Sequence, residues 1–166
     1  MFHAFDNPGP NRITPRPDWM ALLSRAPLPL LEQGLAEQAQ AQPRWLRRPE
    51  TGLYMVQGRA GGTGQRFNLG ELTVTRCALR LDDGEGAVGV AYVMGRNHRQ
   101  AQLAAVADAL LQDPSLHPSL EASVLQPVRQ HLARQQAQRA ARAQSTKVDF
   151  FTVAREAGTA DEGEDA

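Results

Sequence analysis

The stretch LTVTRCALRLDDGEGAVGVAYVM, residues 72–94, decides the fold. Two β-prone runs, 72–81 and 87–94, are joined by Asp82-Asp83-Gly84-Glu85-Gly86, whose glycines suit the positive φ of a tight hairpin. In the second run Val88, Val90, Tyr92 and Met94 alternate with Ala87, Gly89, Ala91 and Val93. One face is therefore bulky and the other small enough for a helix or a partner to approach closely. The first run changes parity: Leu72 and Val74 share one, Cys77, Leu79 and Leu81 the other. A β-bulge near Thr75-Arg76 reconciles them and re-aims Arg76. A further run at 53–59 brings the expectation to an antiparallel sheet of three to four strands.

Helical grammar lies on both sides of the strands in the chain. Trp19, Leu22 and Leu23 follow Asp18 at helical spacing, which predicts a helix over 18–25 with Asp18 as N-cap. Leu28, Leu31 and Leu35 continue that spacing from Pro27 to about Gln40, with Gly34 a weak point. Beyond Arg96, Asn97 and Gln100 have capping-box spacing, and Leu103, Val106, Ala107, Leu110 and Leu111 form one stripe that Asp113-Pro114 ends. Pro127 splits the next stretch, and an Ala-, Gln- and Arg-rich helix runs from there to Gln144. The fold class is α+β: a small antiparallel sheet flanked by N-terminal and C-terminal helices.

With 166 residues there is room for one domain. Proline, glycine and asparagine crowd residues 1–16, which read as a disordered leader; 17–155 read as a single α+β domain and 156–166 as a disordered acidic tail. That tail holds five of the 18 acids, so residues 1–155 carry 18 bases against 13 acids, a net of +5. No apolar run approaches the roughly 20 residues of a membrane span, and the start has no signal-peptide pattern, so a cytoplasmic protein without membrane contact is expected. One cysteine, Cys77, excludes an internal disulfide framework and a Cys-rich zinc site.

The densest unusual stretch is Arg59-Ala60-Gly61-Gly62-Thr63-Gly64-Gln65-Arg66. Glycines let backbone N–H groups converge on an anion, Thr63 adds a hydroxyl, and Arg59 and Arg66 offer bidentate guanidinium donors. The same composition suits a plain inter-strand loop or one packed on a partner. It lacks the Lys-Ser/Thr ending and the following helix of a nucleotide-binding loop. Arg76, beside the expected bulge, and Arg96, at a strand-to-helix junction, complete the anion-binding or partner-contact candidates. Cys77 reads as a small core residue. His3, His98, His117 and His131 have no metal-ligand spacing, and no catalytic or metal-binding set emerges. Arg129, Arg134, Arg139 and Arg142 form a basic run on the long helix, but the stacking aromatics of a nucleic-acid binder are missing.

Pro49–Cys77 (PETGLYMVQGRAGGTGQRFNLGELTVTRC), YVMGR at 92–96 and VDFFT at 148–152 together resemble the PhnG family, the G subunits of the bacterial carbon-phosphorus lyase system, over roughly residues 19–155. The chain departs from the family pattern at Ala60, where a methionine is usual, and at Asn97-His98, where Asp-Lys is common. The resemblance implies a phosphonate-metabolism subunit working with the H, I and J subunits and most closely with I. The H and L subunits are also implied in converting ATP and methylphosphonate to α-D-ribose 1-methylphosphonate 5-triphosphate with release of adenine. ATP is then a substrate of the complex, this chain holds no cofactor, and the chemistry is credited to the I subunit. The competing expectation is an independent anion-binding or RNA-binding module.

Overall fold

The computed structural model of the chain describes residues 14–40, 42–81 and 86–148. Helices α1 (Arg16–Leu23) and α2 (Leu28–Leu35) come first, followed by a 3₁₀ turn at Ala36–Gln40. The strands are β1 (Arg44–Arg59), β2 (Arg66–Arg80) and β3 (Val88–Met94), in the order β1-β2-β3 with both pairings antiparallel. Helix α3 (His98–Leu111), the short α4 (His117–Leu120), a π turn (Glu121–Leu125) and α5 (Gln126–Ser145) complete the fold. The α+β class and the three-strand count agree with expectation.

The small face of β3 receives α3. Gly89, Ala91 and Val93 are buried, and a Cβ added at Gly89 would stand 1.9 Å from the Ala105 carbonyl oxygen. Only glycine allows that approach. On β2, Thr75, Cys77 and Leu79 face the same helix. Around them Leu22, Leu31, Leu35, Leu103, Leu111 and Leu125 are fully buried, an aliphatic core in which truncating one leucine costs about 2–5 kcal/mol.

The expected bulge at Thr75-Arg76 is not there. The pairing of β2 with β3 runs without a slip from Val74↔Met94 to Arg80↔Val88. The register slips lie in the β1–β2 pair, between Trp45 and Arg47, between Arg47 and Glu50, and between Val56 and Gln57. The parity change has another cause: Leu72, 43% exposed, and Val74 point away from α3. Their apolar character belongs to the opposite face of a regular strand. Both β1 and β2 also begin earlier than expected, because partner hydrogen bonds extend the ladder through residues without hydrophobic alternation.

Other boundaries move for local reasons. Helix α1 starts at Arg16 after Pro15, with no side-chain cap, so Asp18 lies in its first turn and is not the N-cap. Prolines fit there because first-turn N–H groups have no helical acceptor. The expected helix to Gln40 breaks after Leu35, at Ala36 with φ 46°. Pro127 does not split the following stretch. The backbone stays right-handed helical through Leu120 and Leu125, and the π turn closes with Gln126 N–H on the Glu121 carbonyl. Pro127 has no N–H for the Ser123 carbonyl, and that oxygen instead lies against Gly34, where a Cβ would meet it at 2.5 Å.

The expected leader falls mostly outside the described residues, yet its last three belong to the folded body. Thr14 is buried, donating to Glu121 (2.9 Å) and accepting from Arg129 (2.8 Å), and Arg16 opens α1. The hairpin tip 82–85, residues 149–152 of VDFFT and the acidic tail lie outside the described residues.

Candidate functional site

Strand β3 ends at Met94 opposite Val74. Beyond that point β1 and β2 have only each other, from Leu53↔Thr73 to Arg59↔Arg66. This two-stranded arm reaches about 20 Å past the three-stranded sheet at roughly 3.3 Å per residue. Its apolar side chains are open to solvent: Leu53, Tyr54, Met55, Phe67, Leu69 and Leu72 are between 43% and 68% exposed. On the face turned from α3 the register lines up Tyr54 with Leu72 and Gly52 with Val74, continuous with exposed Tyr92 and Met94. Phe67 lies over Gly58, its ring 3.3 Å from where a Cβ would stand. Met94, Tyr92, Val74 and Tyr54 border a hollow of about 520 Å³ with Ser24 and Arg25 from the end of α1.

The Gly-rich loop is the arm's tip. Gly61 (φ 60°) and Gly62 (φ 78°) take left-handed backbone that carries the chain from β1 to β2. The N–H groups of Thr63 and Gly64 both turn inward onto the Ala60 carbonyl. Those two amides are therefore not available to an anion outside the loop. Arg59 and Arg66 sit directly opposite each other and are exposed. Gln57 and Asn68 bond on the same face just behind them, at 3.3 Å.

The remaining candidates are elsewhere. Arg76 lies about 33 Å along β2 from Arg66 by the same rise, and its Nε donates to Glu50 at 2.8 Å. Glu50 is also bonded by Arg47, and these two arginines, Arg47 first, hold its carboxyl below the ordinary range. Arg96 is exposed at the arm's root, after Gly95 (φ 98°). There Thr75 donates to the Gly95 carbonyl (2.7 Å), which leaves its oxygen to accept from Thr51 (3.2 Å), and His98 Nε2 stands 3.1 Å from Thr51. Asn97 caps α3 by accepting from Gln100 N–H at 3.0 Å, but the Gln100 side chain bonds the Ala26 carbonyl, so half of the expected capping box forms. Cys77 Sγ donates to the Ala101 carbonyl, and burial pushes its thiol up to about 12, the behaviour of a core residue. Arg129 leaves the basic run altogether: it is buried against Glu121.

Sequence reasoning missed the most satisfied polar node. Asp108, fully buried, accepts from Arg16 Nε and Nη2, Trp19 Nε1 and Val90 N–H. Arg16 is held charged by that carboxylate. A lone acid inside an alanine-rich apolar helix was the available signal. Among the described residues no three His, Cys, Asp or Glu side chains gather as a metal site, and no helix is long and apolar enough to cross a membrane.

The family model of the phosphonate metabolism protein PhnG matches residues 14–156. The chain belongs to the PhnG family. A curated relative from Rhizobium meliloti (strain 1021), the "Alpha-D-ribose 1-methylphosphonate 5-triphosphate synthase subunit PhnG", is 39% identical over 146 residues, spanning 86% of this chain and 90% of its own length. The match covers the arm, its tip and the helical body alike, so the features described here sit within PhnG-family sequence.

Proposed function

We propose that the chain is a cytoplasmic, accessory subunit of a synthase that joins methylphosphonate to the ribose of ATP, releases adenine and so makes α-D-ribose 1-methylphosphonate 5-triphosphate. Its partners are the H, I and J subunits, with the bond-breaking chemistry carried by I and this chain docking through its arm. The relative's name supports the product and the subunit status. The observation that carries the docking role is the apolar, doubly exposed arm. At roughly 100 Å² apiece its six large apolar side chains offer about 600 Å² over the arm's two faces, approaching one partner's share of a standard interface and at the upper end of what monomers leave open. A two-stranded ribbon is marginal in water by itself. The independent anion- or RNA-binding alternative gains nothing, since Arg129 is internal and the exposed arginines are dispersed.

Co-expression with the partner subunits tests this reading. Leu53→Asp and Leu69→Asp, at sites 68% and 67% exposed, should leave the isolated fold intact by circular dichroism and remove the chain from the purified complex. Normal assembly of both variants would refute the docking role.

A further inference from the structure

We propose that Arg59 and Arg66, paired across the tip of the arm, clamp the triphosphate of a ribose 5-triphosphate or nucleoside triphosphate held on a partner subunit. The inference rests on the subunit reading above and adds a ligand-binding role for this chain. Like charges directly opposite each other on an antiparallel pair destabilise it. Arg59 and Arg66 are so placed, and among the described residues neither makes an ion pair with a carboxylate. Arg76, by contrast, is matched across the strands by Glu50. The unmatched pair therefore lacks the anion that would make its placement favourable.

Three features point to a phosphate chain as that anion. Two arginines on directly opposed strand positions can both reach one anion, and a triphosphate offers successive oxygens for bidentate contacts. Gly61 and Gly62, which join the two strands at the tip, add no side-chain bulk there, and a Cβ at either would meet nothing within 4 Å. The arm also carries the pair about 20 Å from the three-stranded sheet, so the tip can cross a docked partner's surface to reach a site this chain does not contain. The relative's named product carries a triphosphate.

The test uses the complete complex, reconstituted with the wild-type chain or with Arg59→Ala, Arg66→Ala and the corresponding lysine variants. Assembly is read by native mass spectrometry, and inorganic tripolyphosphate and adenosine binding are measured separately by calorimetry. Each alanine variant should assemble, bind tripolyphosphate about tenfold more weakly and keep its adenosine affinity, because a charge-assisted contact contributes about that factor or more. The KM for ATP should rise while that for methylphosphonate stays put, and lysine should restore part of the loss. Unchanged tripolyphosphate affinity in assembled variants would overturn the clamp. So would alanine variants that fail to assemble, since the arginines would then be contacts between proteins. A wild-type chain that does not join the complex would overturn the subunit reading, and the clamp with it.

Discussion

Replacing Asp108 tests the polar node that joins three elements of the body. Its carboxylate accepts the Trp19 indole (2.8 Å) and Arg16 Nε (3.1 Å) on one oxygen, and Arg16 Nη2 (2.7 Å) and Val90 N–H (2.9 Å) on the other. Asp108→Ala strands the indole and the strand amide, each costing about 1–3 kcal/mol when buried and unpaired. It also removes the partner of Arg16. Because the Arg16 side chain is 42% exposed, water recovers much of that loss, so the buried-pair penalty of about 3–5 kcal/mol applies only in part. The expected total is about 3–5 kcal/mol. Asp108→Asn keeps one accepting oxygen and turns an NH₂ toward donors on the other side, for an expected loss of about 2–3 kcal/mol by the same reasoning. Arg16→Ala leaves the fully buried carboxylate with only the indole and the strand amide as donors, so it should cost about 3 kcal/mol, within the range for breaking a buried pair. Urea denaturation followed by circular dichroism and Trp19 fluorescence reads all three. An Asp108→Asn variant as stable as wild type, or an Arg16→Ala variant as stable as wild type, would refute the assignment of the node to the carboxylate.

Gly89→Ala places a methyl 1.9 Å from a backbone oxygen that cannot swing aside, so a loss of about 3 kcal/mol is expected in the same denaturation assay. Gly61→Ala, which meets nothing, should lose only about 1 kcal/mol through its positive φ. Glu50 provides the pH test: its folded-state pKa is depressed by Arg47 and then Arg76. The interaction is therefore fully present above the ordinary carboxylate value and lost as pH falls through the lowered one. Carboxyl NMR titration should show that depression in the wild type and its partial reversal by Arg47→Ala, more than by Arg76→Ala; an ordinary wild-type titration would count against the network.

How much of this was legible depended on whether the signal was local. The small face of β3 was readable because period two alone places Gly89, Ala91 and Val93 together, and the α3 stripe and its Asn97 cap were readable for the same reason. The bulge failed because it assumed that every large apolar residue of β2 faces the core, whereas Leu72 and Val74 face outward. The early starts of β1 and β2 follow from cross-strand pairing, which no window of one strand displays. Asp108 was hidden by distance, its Arg16 partner lying 92 residues upstream. At the candidate site, the loop and its flanking arginines could be read, but their apposition is a property of register. That same register leaves Arg76 and Arg96 far from the tip.

The two edges of the sheet differ in a way that favours the arm as the proposed docking element. At the start of β3 two outward backbone groups are taken: Val90 N–H donates to Asp108, and the Val88 carbonyl accepts from Arg16 Nη2 and Gln112 Nε2. Side chains from α1, α3 and the residue capping α3 thus block that part of the edge to another strand, the usual protection against unwanted pairing. The strand order leaves β1 paired on one side only, and from Leu53 to Arg59 its far edge runs beside exposed Leu53, Tyr54 and Met55. An incoming strand would gain ladder hydrogen bonds and apolar cover along the same seven residues, which is how strand addition combines affinity with side-chain selection. With the start of β3 covered, β1, the strand that ends at Arg59, is the more open edge for such addition. A partner bound there is led along β1 toward the tip, so docking and anion binding would share one element while the helical core stays out of contact.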